Sequence, residues 1–255
     1  MAGGITCSGV ELVALVGLLD GKAVIGIEDP LRGLSRTETD KALVKAREAL
    51  ERRQYLRMAS DGFIELDKRV AELVQVVAKP DRSYYAYVIR GAEPLSPIES
   101  GTRRVFHARG NLGAEVIDAA EATVRRLRGR DAIASTVVEF WHITNQPPAG
   151  AERATLSQQA LHDATRLALE QGSEATLTAL RDAGLLPRAA ATLADTLVSP
   201  IANGALIAFS LSNQRQTATI GFLEGQNGLW RMRTTAGQVT LEATTAPALA
   251  RLVRD

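Results

Sequence analysis

The chain has 255 residues, of which 45% are hydrophobic and 23% are charged, and its formal net charge is +1 at pH 7. This composition is typical of a folded globular protein rather than a disordered chain, and the near balance of acids and bases argues against a dedicated polyanion-binding domain. Cys7 is the single cysteine, so no intramolecular disulfide can form. A lone cysteine and the lack of any run of ~20 apolar residues lead us to expect a cytoplasmic protein that does not bind membranes.

The first half of the chain predicts helices, a hairpin and then four strands. Helices are expected over 10–19, 37–54 and 67–79, a strand over 22–27, a β-hairpin over 55–66, strands over 84–90, 103–109, 114–118 and 123–127, and a closing helix over 131–142. Thr37 is the expected cap of the second helix, whose buried stripe is Leu43, Ala46, Ala49 and Leu50. Asp61-Gly62 is the turn signal of the hairpin.

The second half predicts a similar order after a linker-like stretch at 145–152. Helices are expected over 155–171, 174–183 and 187–198, strands over 204–211, 216–223, 229–234 and 238–243, and a last helix over 246–254.

The two halves also share residues at matching places. One gapless shift places Gly110 on Gly225, Gly113 on Gly228, Val124 on Val239 and Val138 on Val253. Earlier in the chain, the matching residues of the two halves are separated by more positions. This larger separation is explained if the second half lacks the hairpin, because loops absorb such insertions readily. Chance similarity between two α+β segments is the alternative explanation.

We therefore predict an α+β protein with an internal duplication. Each of two quasi-twofold related halves would hold three helices, an antiparallel four-stranded meander and a closing helix. The halves would span 1–147 and 148–255, or together form one compact pseudo-symmetric domain.

No residue pattern predicts catalysis or a bound cofactor. His107, His142 and His162 have no metal-ligand spacing, and Cys7 has no nearby histidine that would activate it. The sequence contains no P-loop, no G-x-G-x-x-G and no G-x-S-x-G. We expect a non-enzyme without metal or cofactor, for which a small-molecule ligand is not expected.

The helix and hairpin at 37–66 resemble a winged helix, which makes a DNA-binding transcriptional regulator the alternative function. The candidate DNA contacts are Arg36, Lys41, Lys45, Arg52, Arg53 and Arg57. Glu38 and Asp40 oppose this interpretation because they put negative charge at the helix start, where base edges are usually read.

Partner-binding candidates come from the hairpin, from two aromatic residues and from a basic cluster. They are Tyr55, Arg57, Met58, Phe63, Tyr84, Arg125, Arg126, Arg128 and Trp230. Tyr and Trp are frequent anchors of protein interfaces, but core packing is the alternative for Tyr84 and Trp230. A solvated strand face is the alternative for the arginines.

The C-terminal block suggests a family. Strands expected around 205–209, 217–223, 229–233 and 239–241, followed by a helix around 248–253, resemble the closing elements of the ESX secretion-associated (EspG) chaperones of type VII secretion. The resemblance implies a cytosolic, non-enzymatic protein that holds an aggregation-prone secreted partner soluble. The sheet surface or the hairpin would bind that helical partner.

Overall fold

The structure is a computed structural model that describes residues 3–21, 24, 27–60, 62–91, 101–117, 121–144, 147, 153–210 and 215–254. The helices are α1 (Gly9–Leu18), α2 (Arg36–Arg52), α3 (Lys68–Ala78), α4 (Gly129–Trp141), α5 (Gln158–Glu170), α6 (Ser173–Asp182), α7 (Pro187–Val198) and α8 (Ala246–Arg254). The strands are β1 (Gly4–Cys7), β2 (Leu56–Met58), β3 (Ile64–Leu66), β4 (Arg82–Arg90), β5 (Thr102–Arg109), β6 (Leu112–Ile117), β7 (Ala122–Arg128), β8 (Ala154–Ser157), β9 (Pro200–Ser210), β10 (Arg215–Gly225), β11 (Gly228–Thr235) and β12 (Gln238–Ala243).

Several helices begin where a side chain caps the free backbone amides. The Ser8 hydroxyl accepts from the Glu11 backbone amide at 3.2 Å, and the Glu11 carboxylate accepts from the Ser8 amide at 3.0 Å. Ser35 and Glu38 form the same capping box at α2. The prediction that Thr37 caps this helix is therefore wrong, because the helix already begins at Arg36.

Of the twelve strands in the described residues, ten form one sheet in the order β1-β7-β6-β5-β4-β9-β10-β11-β12-β8, and β2 and β3 pair separately. The ladders β5–β6, β6–β7, β10–β11 and β11–β12 are antiparallel, as the short turns between them predict. The mixed α+β class with a large antiparallel sheet is confirmed.

The described chain divides into two compact units. The first comprises Met1–Tyr85, Arg104–Ile133 and Ala208–Gln216, and the second comprises Ala86–Arg103, Ala134–Ile207 and Thr217–Asp255. The predicted division between residues 147 and 148 stays a prediction, because residues 145, 146 and 148–152 lie outside the described part of the chain.

The core of the first unit lies between α1, α2 and α3 and one face of the sheet. On β7, Ala122 and Val124 face this core, while Arg125 lies on the opposite face, as strand alternation requires. Other core side chains are Ile5, Cys7, Leu12, Leu15, Leu50, Leu73, Val74, Val77, Val105 and Val116. Cys7 belongs to β1 and is completely buried.

The core of the second unit lies between α5, α6 and α7 and strands β8, β10, β11 and β12. Its side chains include Leu161, Leu180, Leu193, Leu197, Leu223, Trp230 and Leu241. In the same unit, strand β9 passes very close to β4 at Gly204. A Cβ atom there would lie 2.3 Å from the Tyr87 carbonyl oxygen and 2.8 Å from the Phe222 ring, so only glycine fits.

Two side chains close the outer edge of β1. The Thr6 backbone amide donates to the Tyr55 hydroxyl at 3.4 Å, and the Thr6 carbonyl accepts from the Arg53 guanidinium. Arg53 is held in place by Glu121 at 3.2 Å and Glu11 at 3.9 Å. A further strand therefore finds the backbone groups of Thr6 already occupied.

Two strands were not predicted. β1 pairs with β7, and β8 pairs with β12, so an additional strand joins each predicted meander. The helix predicted over 155–171 begins only at Gln158, after the Ser157 cap, because residues 155–157 belong to β8. The predicted strand at 22–27 falls largely outside the described residues.

Candidate protein-binding groove

An open groove runs between α1 and α2 in the first unit, with a volume of about 610 Å³. We call it the α1–α2 groove. The wall from α1 is formed by Val13, Ala14, Gly17 and Leu18, which share one side of the helix because they are one or four residues apart. Leu18 is 41% exposed, although it is a large apolar side chain.

The wall from α2 is formed by Asp40, Leu43, Val44 and Arg47. These positions are three or four residues apart and therefore lie on one helical face. Val44 is 49% exposed at the centre of this wall. The apolar pair is thus flanked by an acid on one side and a base on the other.

The floor of the groove consists of Leu50, Leu56 and Ile64, so the β2–β3 hairpin completes it. Leu56 pairs with Leu66 and Met58 with Ile64, which places these apolar side chains on one face of the hairpin. Met58 is 48% exposed, and Phe63, which directly precedes β3, is 72% exposed. Met58 and Phe63 do not line the groove themselves, but large exposed apolar side chains on the element that completes it are typical of an interaction surface.

The remaining hairpin candidates have structural contacts. Arg57 and Glu65 face each other across the hairpin, with guanidinium and carboxylate atoms 2.5 Å apart. Tyr55 is half-buried against the core of the first unit, and its hydroxyl binds Thr6. The structure therefore places Met58 and Phe63 at the surface, while Tyr55 helps to close the sheet edge.

Tyr84 and Trp230 are not available to a partner. Tyr84 is 5% exposed and Trp230 is 1% exposed, and the Trp230 indole amine donates to the Thr196 hydroxyl at 3.3 Å. Both side chains therefore belong to the core and do not form part of an interaction surface.

The predicted arginine cluster divides between the two faces of β7. Arg125 pairs with the buried Glu115 at 2.5 Å, and Arg104 contacts the same carboxylate. Arg126 lies on the other face, 3.3 Å from Glu72 of α3, and Arg128 shares that face and is exposed. Only Arg126 and Arg128 therefore belong to one surface.

The helix and hairpin of the winged-helix interpretation are both present, but two of the six candidate cations make contacts within the chain. Arg53 is occupied by Thr6, Glu121 and Glu11, and Arg57 is paired with Glu65. Glu38 keeps its negative charge at the start of α2, where the Ser35 hydrogen bonds lower the pKa of its carboxyl. Nothing in the described residues favours the DNA-binding alternative.

Two buried titratable groups, the Cys7 thiol and the His107 ring, have strongly altered pKa values. Burial, followed by the nearby Glu11 carboxylate, raises the pKa of the Cys7 thiol to about 12, so the thiol stays protonated and is a poor nucleophile. Burial lowers the pKa of His107 to about 4. Among the described residues, no group of three or more His, Cys, Asp or Glu side chains is placed to hold a metal ion. None of the described helices has the length and apolarity that a bilayer span requires.

Sequence reasoning missed the groove residues Val13, Leu18 and Val44. The available signal was Val44 itself, an apolar residue next to the stripe predicted to be buried. The stripe of α2 is only partly buried: Ala46 and Leu50 are covered, whereas Leu43 faces the groove.

A large antiparallel sheet covered by helices, with an open apolar groove, defines an α+β protein equipped to bind another protein. Residues 22–255 match the model of the EspG family, and the chain belongs to that family. This match confirms the resemblance noted in the C-terminal strands. No curated protein matches the chain.

A solved structure has a similar fold over nearly the whole length. It is the Mycobacterium tuberculosis type VII secretion system chaperone EspG5, determined in complex with a PE25–PPE41 dimer. The TM-score is 0.66 at 18% sequence identity, covering 99% of this chain and 95% of that chain.

Proposed function

We propose that this chain is a non-enzymatic chaperone that holds a secreted helical protein soluble, and that the α1–α2 groove receives an amphipathic helix of that partner. Membership of the EspG family and the fold shared with EspG5, a chaperone solved with a protein dimer, support the chaperone function. The observation that carries the proposal is the groove itself, in which Leu18 and Val44 are exposed and Leu43 is partly exposed.

The shape of the groove suits a helix. A helix that lies in an apolar groove contacts it through residues spaced at i, i+3, i+4 and i+7. Asp40 and Arg47 are separated by seven residues, which is about 10 Å along α2. A partner helix with a basic residue opposite Asp40 and an acidic residue opposite Arg47 would be held in one direction. Arg47 lies 4.0 Å from Glu51, a loose exposed pair that a partner carboxylate can replace.

The absence of enzymatic activity is part of the proposal. The Cys7 thiol is protonated and buried, and His107 is neutral and buried, so neither side chain reaches a substrate from the surface. We also assign the chaperone to the cytoplasm, where a single reduced cysteine is stable and where a partner would be met before export.

The same proposal includes an internal duplication, which the order of elements supports. Leaving out the β2–β3 hairpin, the order from β1 to α4 and the order from β8 to α8 are both strand, three helices, four strands, helix. The sheet order is β1-β7-β6-β5-β4 in one half and β8-β12-β11-β10-β9 in the other. In an experimental structure, residues 4–141 should superimpose on 154–254 strand for strand; strands that fail to match would remove the duplication.

The chaperone proposal is tested with a groove variant and a matched control. Val44→Glu places a charge in the groove at an exposed position, and Leu169→Glu makes the same type of change on α5, where Leu169 is 54% exposed. Each variant is co-expressed with secreted helical proteins of the host, and complexes are measured by size-exclusion chromatography with light scattering.

We expect a stoichiometric complex with the unchanged chain and with Leu169→Glu, and loss of the complex with Val44→Glu. Equal binding by both variants would remove the groove as the binding site. Repeated recovery of the unchanged chain alone, without any helical partner, would contradict the chaperone function.

A further inference from the structure

A second cavity in the first unit is lined by arginines and lies where β1 meets β7. Its volume is about 830 Å³. Arg69 enters it from the first turn of α3, and Arg126 and Arg128 enter from β7, where their spacing of two places them on one face. We call this cavity the arginine pocket.

The charge of the pocket is positive. Arg126 has a partner, since its guanidinium lies 3.3 Å from the Glu72 carboxylate. Arg69 and Arg128 are exposed, and within the described chain neither makes an ion pair. The nearby Asp67 carboxylate is engaged in capping α3, where it accepts from the Arg69 and Val70 backbone amides. Arg69 and Arg128 therefore line the cavity without an ion-pair partner among the described residues.

The walls between the arginines are small or apolar. Gly3, Gly4, Ile5, Leu73 and Leu127 contribute to them. Chain neighbours aside, no atom of the described residues lies within 4 Å of the place where a Cβ on Gly3 would stand. A ligand that fits must combine negative charge with apolar groups.

We propose that the arginine pocket binds an acidic segment of a protein partner, one in which Asp or Glu side chains alternate with apolar residues. A planar guanidinium binds a carboxylate through two parallel hydrogen bonds, so Arg69 and Arg128 match two carboxylates of such a segment. Nucleic acid fits less well, since it needs a long basic stripe that neutralises many phosphates, whereas this chain has a formal net charge of +1 and the pocket walls are partly apolar.

This inference deepens the proposed function, because it gives the partner a second, charged attachment point. The two proposals nevertheless fail separately. Val44→Glu tests the α1–α2 groove, and free peptides test the arginine pocket without any partner protein.

The test is fluorescence anisotropy with three labelled probes: a peptide rich in Glu and Leu, the same peptide with every Glu replaced by Gln, and single-stranded oligothymidylate. We expect the Glu peptide to bind, the Gln peptide to bind much more weakly, and the affinity for the Glu peptide to fall as salt rises. The double variant Arg69→Gln/Arg128→Gln should weaken binding of the Glu peptide by about tenfold.

The matched control is Arg36→Gln/Arg52→Gln, which removes the same charge from exposed positions of α2. It should bind the Glu peptide like the unchanged chain, and all variants should show the same thermal unfolding. If both double variants weaken binding of the Glu peptide equally, the effect comes from net charge and the pocket proposal is wrong. Tighter binding of oligothymidylate than of the Glu peptide, or equal binding of the Glu and Gln peptides, would overturn the proposal.

Discussion

Replacement of His107 by Gln should make the unfolding free energy less dependent on pH in the acid range. The His107 side chain is completely buried on β5, and its Nδ1 atom lies 2.9 Å from the Ser83 hydroxyl oxygen. Burial lowers the pKa of His107 from 6.5 to about 4. The ring is thus neutral in the folded protein down to about pH 4, whereas in the unfolded chain it takes up a proton below about pH 6.5.

This difference destabilises the folded state in acid. The unfolded state binds the proton more readily, so the stability present above about pH 6.5 is lost as the pH falls towards 4. The full loss corresponds to about 3.4 kcal/mol of unfolding free energy, of which about 2 kcal/mol is lost by pH 5.

The measurement is urea denaturation between about pH 7.5 and pH 5. His107→Gln keeps a polar group opposite Ser83 but cannot be protonated, and His162→Gln is the control, since His162 is exposed on α5. Carboxylates contribute equally to all three proteins. We expect the unchanged chain and His162→Gln to lose about 2 kcal/mol more than His107→Gln. If the three curves run parallel over this range, the reasoning about the buried ring is refuted.

Three further predictions concern backbone packing, the sheet edge and a helix cap. Gly204→Ala should lower the unfolding free energy by about 3 kcal/mol, because its Cβ would meet a backbone carbonyl. Gly17→Ala should raise it by about 0.5 kcal/mol, because its Cβ would meet no atom of the described residues outside its own helix backbone and chain neighbours. Thermal denaturation distinguishes the two variants. Arg53→Ala should leave the Thr6 carbonyl at the edge of β1 free to pair with another chain, and light scattering should then show self-association that increases with concentration. If Arg53→Ala stays monomeric like the Arg52→Ala control, this reasoning is wrong. Ser35→Ala should cost about 1 kcal/mol by removing the capping box, and an unchanged melting temperature would argue against that contribution.

The repeated order of helices and strands could be predicted because local patterns determine it. The stripe Val70, Leu73, Val74 and Val77 specifies α3 at the helical period, and Asp61-Gly62 marks the hairpin turn. β1 and β8 were missed because four residues are too few to show alternation. Each is a strand only because β7 or β12 lies beside it, and that pairing joins residues more than eighty positions apart.

The candidate site was harder to predict than the fold. Val44 stands next to the buried stripe of α2, but that local pattern does not show that α1 and the hairpin also line the groove. Residue type could not decide between the interface and the core interpretations of Tyr84 and Trp230, because the aromatic rings that anchor interfaces also fill cores. Arg125 and Arg126 are adjacent in sequence but lie on opposite faces of β7, and the partner of each became clear only from β6 and α3.

In the part of the chain that the structure describes, β2 and β3 pair with each other and not with the ten-stranded sheet. Its base is fastened by Leu56 and Leu66, while Met58 and Phe63 extend towards solvent. A two-stranded hairpin adds little to cooperative folding, and its tip opens at a lower free energy than the sheet. Substitutions at the tip therefore leave the melting temperature of the protein almost unchanged. Under the proposed function, substitutions at the tip would change partner binding and leave the folding free energy of the sheet nearly the same.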